Sequence, residues 1–243
     1  MLFRSDEGLE GWGESCPLGG TYLPSHFAGG VRAALAELAP AVLGLDPRET
    51  AVVQTRMTAT LLGVPGARSA IDVACWDILG KSTGLPVATL LGGVLQADFP
   101  LYEAVPLGTP EAMAEFVAAR RAAGITRFQV KVGNRPEDDI ARARASVAVA
   151  GDSRVICDAN GGWRLQDAIR VVRALADLDV YVEQPCRTME EIGRVRALTT
   201  LPIVVDETVL DLPTLHAARE VAGAGSVNLQ IGRLGGQIGR AHV

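Results

Sequence analysis

Short β-rich runs alternating with amphipathic helical runs, beginning near Phe99, constrain this chain more than any other feature. The β-rich runs are Pro100–Val105, Arg127–Val132, Ser153–Asp158, Val180–Glu183, Ile203–Asp206 and Ser226–Ile231. Between them lie helical runs such as Pro110–Ala123, Pro136–Val149, Leu165–Ala176 and Met189–Leu198. This alternation predicts βα units around a parallel sheet, an α/β fold. Most of the six runs end in, or lead directly into, a polar or charged residue, as in a (β/α)8-type barrel, where chemistry sits at the carboxyl ends of the strands. A doubly wound open sheet would carry a glycine-rich phosphate loop after its first strand, and Leu101-Tyr102-Glu103-Ala104-Val105-Pro106 offers none. A closed barrel has eight strands, so six units predict an incomplete one.

Residues 1–95 have a different texture, which predicts a separate, partial α+β domain. A strand-turn-strand opening over Asp6–Glu14 leads to helical runs around Ala28–Leu43, Thr50–Leu62 and Ala67–Lys81, with Gly19–Pro24 as a mobile loop. The barrel segment is expected over 96–236. The last residues, 237–243, match the translation of a short sequencing adapter and are expected to be non-native, so nothing is built on His242.

With 243 residues, 48% of them hydrophobic, the chain can bury a large core. Its net charge of −5 is dispersed rather than blocked, which argues against nucleic acid or an anionic membrane as a partner. Cys16, Cys75, Cys157 and Cys186 form no CxxC pair, so zinc knuckles and redox motifs are excluded and reduced thiols in a cytoplasm are expected. No run approaches the roughly 18 to 20 apolar residues of a membrane span. Small molecules remain as the expected partners.

Three of the predicted strands end in a carboxylate: Asp158, Glu183 and Asp206, spaced 25 and 23 residues apart, about one βα unit each. Acids at equivalent ends of successive strands converge and repel unless a cation sits among them, and hard oxygen ligands suit Mg²⁺, with Mn²⁺ as an alternative. The competing reading is that each acid caps a helix or pairs with a local arginine. Lys131, one strand earlier, would abut the same site; burial and a nearby cation would favour its neutral amine, able to act as a base. A solvated or salt-bridging lysine is the alternative. His26 and His216 read as surface or core fillers, and Trp76 and Trp163 as packing residues.

The succession Lys131-Val132-Gly133, Asp158-Ala159-Asn160-Gly161-Gly162-Trp163, Glu183-Gln184-Pro185, Asp206-Glu207-Thr208 and Arg233-Leu234-Gly235-Gly236 resembles the muconate lactonising enzyme subgroup of the enolase superfamily. Asp6–Glu14 and Ser69–Lys81 resemble that family's capping domain. Against the family pattern the chain lacks the opening capping strands and the last two barrel strands, and reads as a fragment. The resemblance implies Asp158, Glu183 and Asp206 as Mg²⁺ ligands, Lys131 as the acid/base and Tyr22 as a substrate contact. Gln129, Asn160, Glu207 and Gln230 are further substrate-binding candidates, and a homo-oligomer is expected.

The implied chemistry is abstraction of the proton α to a substrate carboxylate, with stabilisation of the enediolate. Gln129 and Gln230 stand where the subgroup usually has lysines, and amides do not exchange protons usefully near neutral pH. A racemase or epimerase needs acid/base groups on both faces, whereas elimination can proceed with one. The missing lysines therefore favour elimination, and the runs Phe128–Gly133, Glu183–Cys186 and Tyr22–Pro24 resemble cis-3-hydroxyproline dehydratases, which implies dehydration of a small hydroxy or cyclic amino acid. Epimerisation of an amino acid derivative or hydroxyproline betaine, muconate-type cycloisomerisation and an inactive truncated fragment are the alternatives.

Overall fold

The computed structural model describes residues 2–17 and 27–237. Tyr22, His26 and the expected mobile loop lie outside them, as do residues 238–243. The chain forms two compact units, one running to Ala97 and resuming at Leu229, the other spanning Asp98–Asn228. No helix among the described residues is long and apolar enough to cross a membrane.

In the first unit, β1 (Leu2–Arg4) and β2 (Glu10–Trp12) pair antiparallel, followed by α1 (Ala28–Val42), α2 (Thr50–Thr60), α3 (Pro65–Thr83) and the single turn α4 (Val87–Leu90). The opening hairpin sits earlier than expected, because Asp6 and Glu7 belong to its turn rather than to a strand. There the Ser5 hydroxyl accepts from the Leu9 N–H and the Ser5 carbonyl from the Gly8 N–H, which closes the chain on itself. Val31, Leu38, Met57, Ile71 and Cys75 join three helices in one buried cluster.

β2 lies on α3 so closely that side chains are excluded at the contact. A Cβ on Gly13 would stand 1.8 Å from the Ala70 carbonyl oxygen, and one on Gly11 2.2 Å from that of Ala74. Backbone cannot yield as a flexible side chain would, so Gly13→Ala is expected to destabilise this unit by about 2 kcal/mol or more. Chemical denaturation would measure it, and a loss within experimental error would contradict the packing described.

The second unit is a six-stranded parallel sheet in sequential order: β3 (Glu103–Val105), β4 (Arg127–Lys131), β5 (Arg154–Asp158), β6 (Val180–Glu183), β7 (Ile203–Val205) and β8 (Ser226–Val227). The crossovers carry α5 (Pro110–Ala122), α6 (Pro136–Ala150), α7 (Leu165–Ala174), α8 (Met189–Arg196) and α9 (Leu212–Glu220). Helix starts follow local chemistry. Thr109 and Thr188 cap α5 and α8 through their hydroxyls, Asp211 and Thr214 form a capping box on α9, and proline opens α5, α6 and α9.

The two outer strands are shorter than their β-rich runs. β3 and β8 each have one ladder partner, so Pro100–Tyr102 and Asn228–Ile231 lack the second set of bonds that holds the inner strands. Alternation then sorts the inner strands. Phe128, Val130, Val155, Cys157, Val180, Val182, Ile203 and Val205 face the helices as one buried core, and the intervening residues share the opposite face. Burying each of these aliphatic side chains stabilises the unit by roughly 1.5–3 kcal/mol. Cys75, Cys157 and Cys186 are buried and free, their thiols pushed up to about 12 chiefly by burial, and are therefore inert.

Candidate active site

Parallel register brings the predicted chemistry together. Lys131 is paired with Asp158, and Asp158 with Glu183, at the carboxyl ends of β4, β5 and β6. Glu183 is paired with Val204, so Asp206, two residues on, returns to the same face. Asp158, Glu183 and Asp206 are only 1%, 2% and 6% exposed, and the Lys131 side chain 28%. All of these groups belong to the second unit.

Their hydrogen bonds form one network. The Lys131 Nζ lies 2.5 Å from Asp158 Oδ2 and donates at 3.2 Å to Asn160 Oδ1. Asn160 is thereby oriented, because its Nδ2 donates at 2.8 Å to Glu207 Oε1. Its own N–H reaches Asp158 Oδ1 at 2.9 Å from a left-handed backbone (φ 46°), a conformation that asparagine tolerates better than most residues. Glu183 accepts from Gln129 Nε2 at 2.9 Å and from Asn228 Nδ2 at 3.2 Å, one amide on each oxygen.

Of the substrate-contact candidates, Gln129, Asn160 and Glu207 are engaged in this network. Gln230, expected on the sixth strand, lies beyond the end of β8 in the first unit, where its carbonyl accepts from the Arg233 and Leu234 N–H groups and closes a turn instead of continuing a ladder.

Two participants are not among the residues singled out from the sequence. Gln184, also left-handed (φ 39°), accepts from the Asp206 N–H at 2.8 Å and the Thr208 hydroxyl at 3.2 Å, fixing the β7 loop to the end of β6. Tyr102 precedes β3 on the face of Ala104, which is paired with Gln129. Its hydroxyl is pushed up by burial and then by the charge of Glu183, with Lys131 opposing, so it feels the field of the same cluster. The period-two alternation Tyr102, Ala104 could have flagged it.

Electrostatically the cluster is short of positive charge. Burial, then the charge of Asp158, raises Glu183 to about 7, against the pull of the Gln129 and Asn228 amides. Glu207 is also raised, first by burial. Among the described residues no three His, Cys, Asp or Glu side chains are already gathered as metal ligands. The donor set nonetheless fits a hard divalent cation: Asp158 and Asp206 both raise Glu183, all three buried carboxylates offer oxygen, and one lysine does not balance them.

A pH dependence follows for the metal-free protein. Glu183 has an ordinary value of 4.5 and a folded one of about 7, so the folded state holds this proton more tightly. Its contribution therefore favours folding below 4.5 and is lost as pH rises through 7, by roughly 3 kcal/mol. Denaturation in chelator between pH 4.5 and 7.5 should show this decline, and Glu183→Gln should remove most of it. An unchanged slope in the variant would assign the effect elsewhere.

A parallel βα sheet with a lysine and successive buried acids on its carboxyl-end face is the architecture of barrel enzymes that move protons beside a bound cation. The comparisons narrow this class. Residues 2–92 match the mandelate racemase/muconate lactonizing enzyme N-terminal domain, and residues 112–240 the enolase C-terminal domain-like family. The chain belongs to the mandelate racemase/muconate lactonizing enzyme family of the enolase superfamily.

It is 46% identical over 234 residues to a cis-3-hydroxy-L-proline dehydratase of Roseibium aggregatum, covering 96% of this chain and 64% of that protein. It is 30% identical to an N-succinyl-L-Arg/Lys racemase of Bacillus cereus, covering 97% and 65%. A mandelate racemase/muconate lactonizing enzyme-type structure from Roseovarius nubinhibens, complexed with magnesium, superposes with a TM-score of 0.91 at 38% identity, covering 98% of this chain and 65% of that one. The chain thus spans just under two thirds of the length of these proteins.

Proposed function

We propose that this protein removes the proton α to a substrate carboxylate and eliminates water from a small hydroxylated cyclic amino acid of the cis-3-hydroxy-L-proline type. One observation carries the reading: the Lys131 amine and the carboxylates of Asp158 and Glu183 stand in direct register on one face of the sheet. The relative from Roseibium aggregatum supports the choice of substrate.

Asp158, Glu183 and Asp206 would hold Mg²⁺. When bound, the ion supplies positive charge against which a substrate carboxylate can accumulate electrons as its α-proton leaves. Lys131 then does the proton work. Its neutral amine takes the α-proton, the Cα–H electrons form a Cα–Cβ double bond, and the Cβ–O bond breaks. In a cis-3-hydroxy ring the hydroxyl lies on the face opposite the α-hydrogen, so it departs with a proton drawn from solvent, and the Lys131 ammonium releases its own proton to solvent, which restores the amine. Asn160, fixed by Glu207, holds Nζ in place, while the Gln129 and Asn228 amides orient Glu183.

Gln129 shares the inward face with Lys131 but is an amide, so β4 supplies a single base. One base serves elimination and not two-faced proton exchange. Incubation of substrate with Mg²⁺ in D₂O tests this. Water loss with a new enamine or ketimine supports it, whereas deuterium washed into recovered, stereochemically inverted substrate would replace it with an epimerase. Absence of turnover together with absence of any Mg²⁺-linked thermal shift would mean that this chain is inert.

A further inference from the structure

We infer that Asp139 is a positioning residue: a buried carboxylate on α6 that locks the strand end bearing the base to the strand end bearing the first acid. The inference rests on the reaction proposed above, and its geometry stands on its own. Asp139 is fully buried, and both of its oxygens are hydrogen-bonded, one directly to loops and the other through Arg142. Oδ2 accepts from the backbone N–H groups of Gly133 at 2.9 Å and Asn134 at 2.6 Å, both just after Lys131, and from Trp163 Nε1 at 2.8 Å, in the loop after Asp158. Oδ1 accepts from Arg142 Nη1 at 2.9 Å, and the same guanidinium donates through Nε to the Gly108 carbonyl at 2.9 Å, in the loop after β3. One ion pair thereby gathers three successive loops at the carboxyl ends of the strands.

The loops touch without intervening side chains. Gly133 has φ 100°, and a Cβ there would stand 2.3 Å from the Ala159 carbonyl oxygen. Between that contact and the β4–β5 ladder, the Val132 N–H donates to the Asp158 carbonyl at 2.9 Å. Lys131 and Asp158 are consequently clamped from below by the ladder and from above by Asp139, which holds Nζ and the acid at a fixed separation.

A buried ion pair is a poor stabiliser compared with apolar packing of the same volume, since desolvation offsets most of its attraction. What a four-donor carboxylate supplies instead is geometry, because each donor has one direction in which it is satisfied. Misplacing a base by about 1 Å can cost up to about a hundredfold in rate, so the loops need such a device.

The test uses Asp139→Asn, which keeps an acceptor but loses the charge, and Trp163→Phe, which removes the Nε1 donor and keeps most of the ring. Ile192→Val on α8, a fully buried core position, is the control for plain destabilisation. Both clamp variants are expected to lower kcat about tenfold or more, with KM and Mg²⁺ affinity within about threefold, and to move the base-side limb of the pH profile. The control, at equal or greater loss of Tm, should move neither. Clamp variants that lose no more kcat than the control, with an unmoved limb, overturn the inference.

If the wild-type protein performs no Mg²⁺-dependent reaction, the functional reading has failed, and amide exchange then judges the clamp separately. Simultaneous loss of protection in both loops, 132–134 and 159–163, in Asp139→Asn upholds the lock. Loss confined to 132–134 refutes it.

Discussion

Lys131→Met is expected to lower the rate of α-proton removal by about 10³-fold or more while leaving Mg²⁺ binding intact or tighter. Methionine keeps the reach and most of the volume of the lysine stem but cannot carry a proton. Acid–base groups typically contribute about 10²- to 10⁴-fold. The upper part of that range applies because Gln129, which shares this face of β4, is an amide and cannot substitute. The effect on the metal has the opposite sign. In the cation-free arrangement the ammonium lies 2.5 Å from Asp158 Oδ2, where it competes with a divalent ion for that oxygen, so its removal frees the ligand. Deuterium exchange at the substrate α-carbon, measured beside Mg²⁺ titration calorimetry, separates the two. A variant within tenfold of wild type would remove Lys131 from the chemistry.

Much of this site is legible in the sequence because its spacing is a repeat. Lys131, Asp158, Glu183 and Asp206 each end or follow a run of alternating or continuous apolar residues. One βα unit between them suffices to put them on neighbouring strands, and the register of β4, β5 and β6 agrees. The limits of that reasoning appear where one strand has one neighbour. The run Ser226–Ile231 has strand composition throughout, but only Ser226 and Val227 are paired, and Gln230 leaves the sheet for a turn. β-propensity describes what a residue tolerates once a partner strand is present, and composition does not supply the partner.

Side-chain commitments were beyond reach for a different reason. Asp139 sits in an acidic first turn with Glu137 and Asp138, and nothing local distinguishes the one that turns inward to meet an indole 24 residues away. Asn160 and Glu207 read from the sequence as substrate contacts, and folding adds a bond between their side chains while Asn160 also accepts from Lys131. Gln184 similarly spends its amide on the Asp206 loop. Each of these depends on a contact between two loops, whereas the sequence pattern reports only which loop a residue is on.

Asp206→Asn is expected to weaken Mg²⁺ binding by about a hundredfold or more without unfolding the protein. The substitution preserves shape, and the loop is held independently: the Asp206 N–H donates to Gln184 Oε1 at 2.8 Å, which the side-chain change leaves alone. What is lost is one formal charge from a set of three buried acids. A hard cation gains its affinity in such a site mainly from anionic oxygens, and an amide oxygen is a poor replacement. In the metal-free protein the change has the opposite effect, since Glu183 is raised partly by the charge of Asp206 and is relieved when that charge goes.

The thermal readout therefore has two parts that a general loss of packing would not produce. With Mg²⁺ at about a hundred times the wild-type Kd, metal-linked stabilisation should drop from about 2.7 to about 0.4 kcal/mol for a hundredfold weaker site. The stability in chelator should stay level or rise. A variant that keeps the full Mg²⁺ shift would show that Asp206 is no ligand, and one less stable in chelator would show that its carboxylate is held by local contacts instead of being strained against its neighbours.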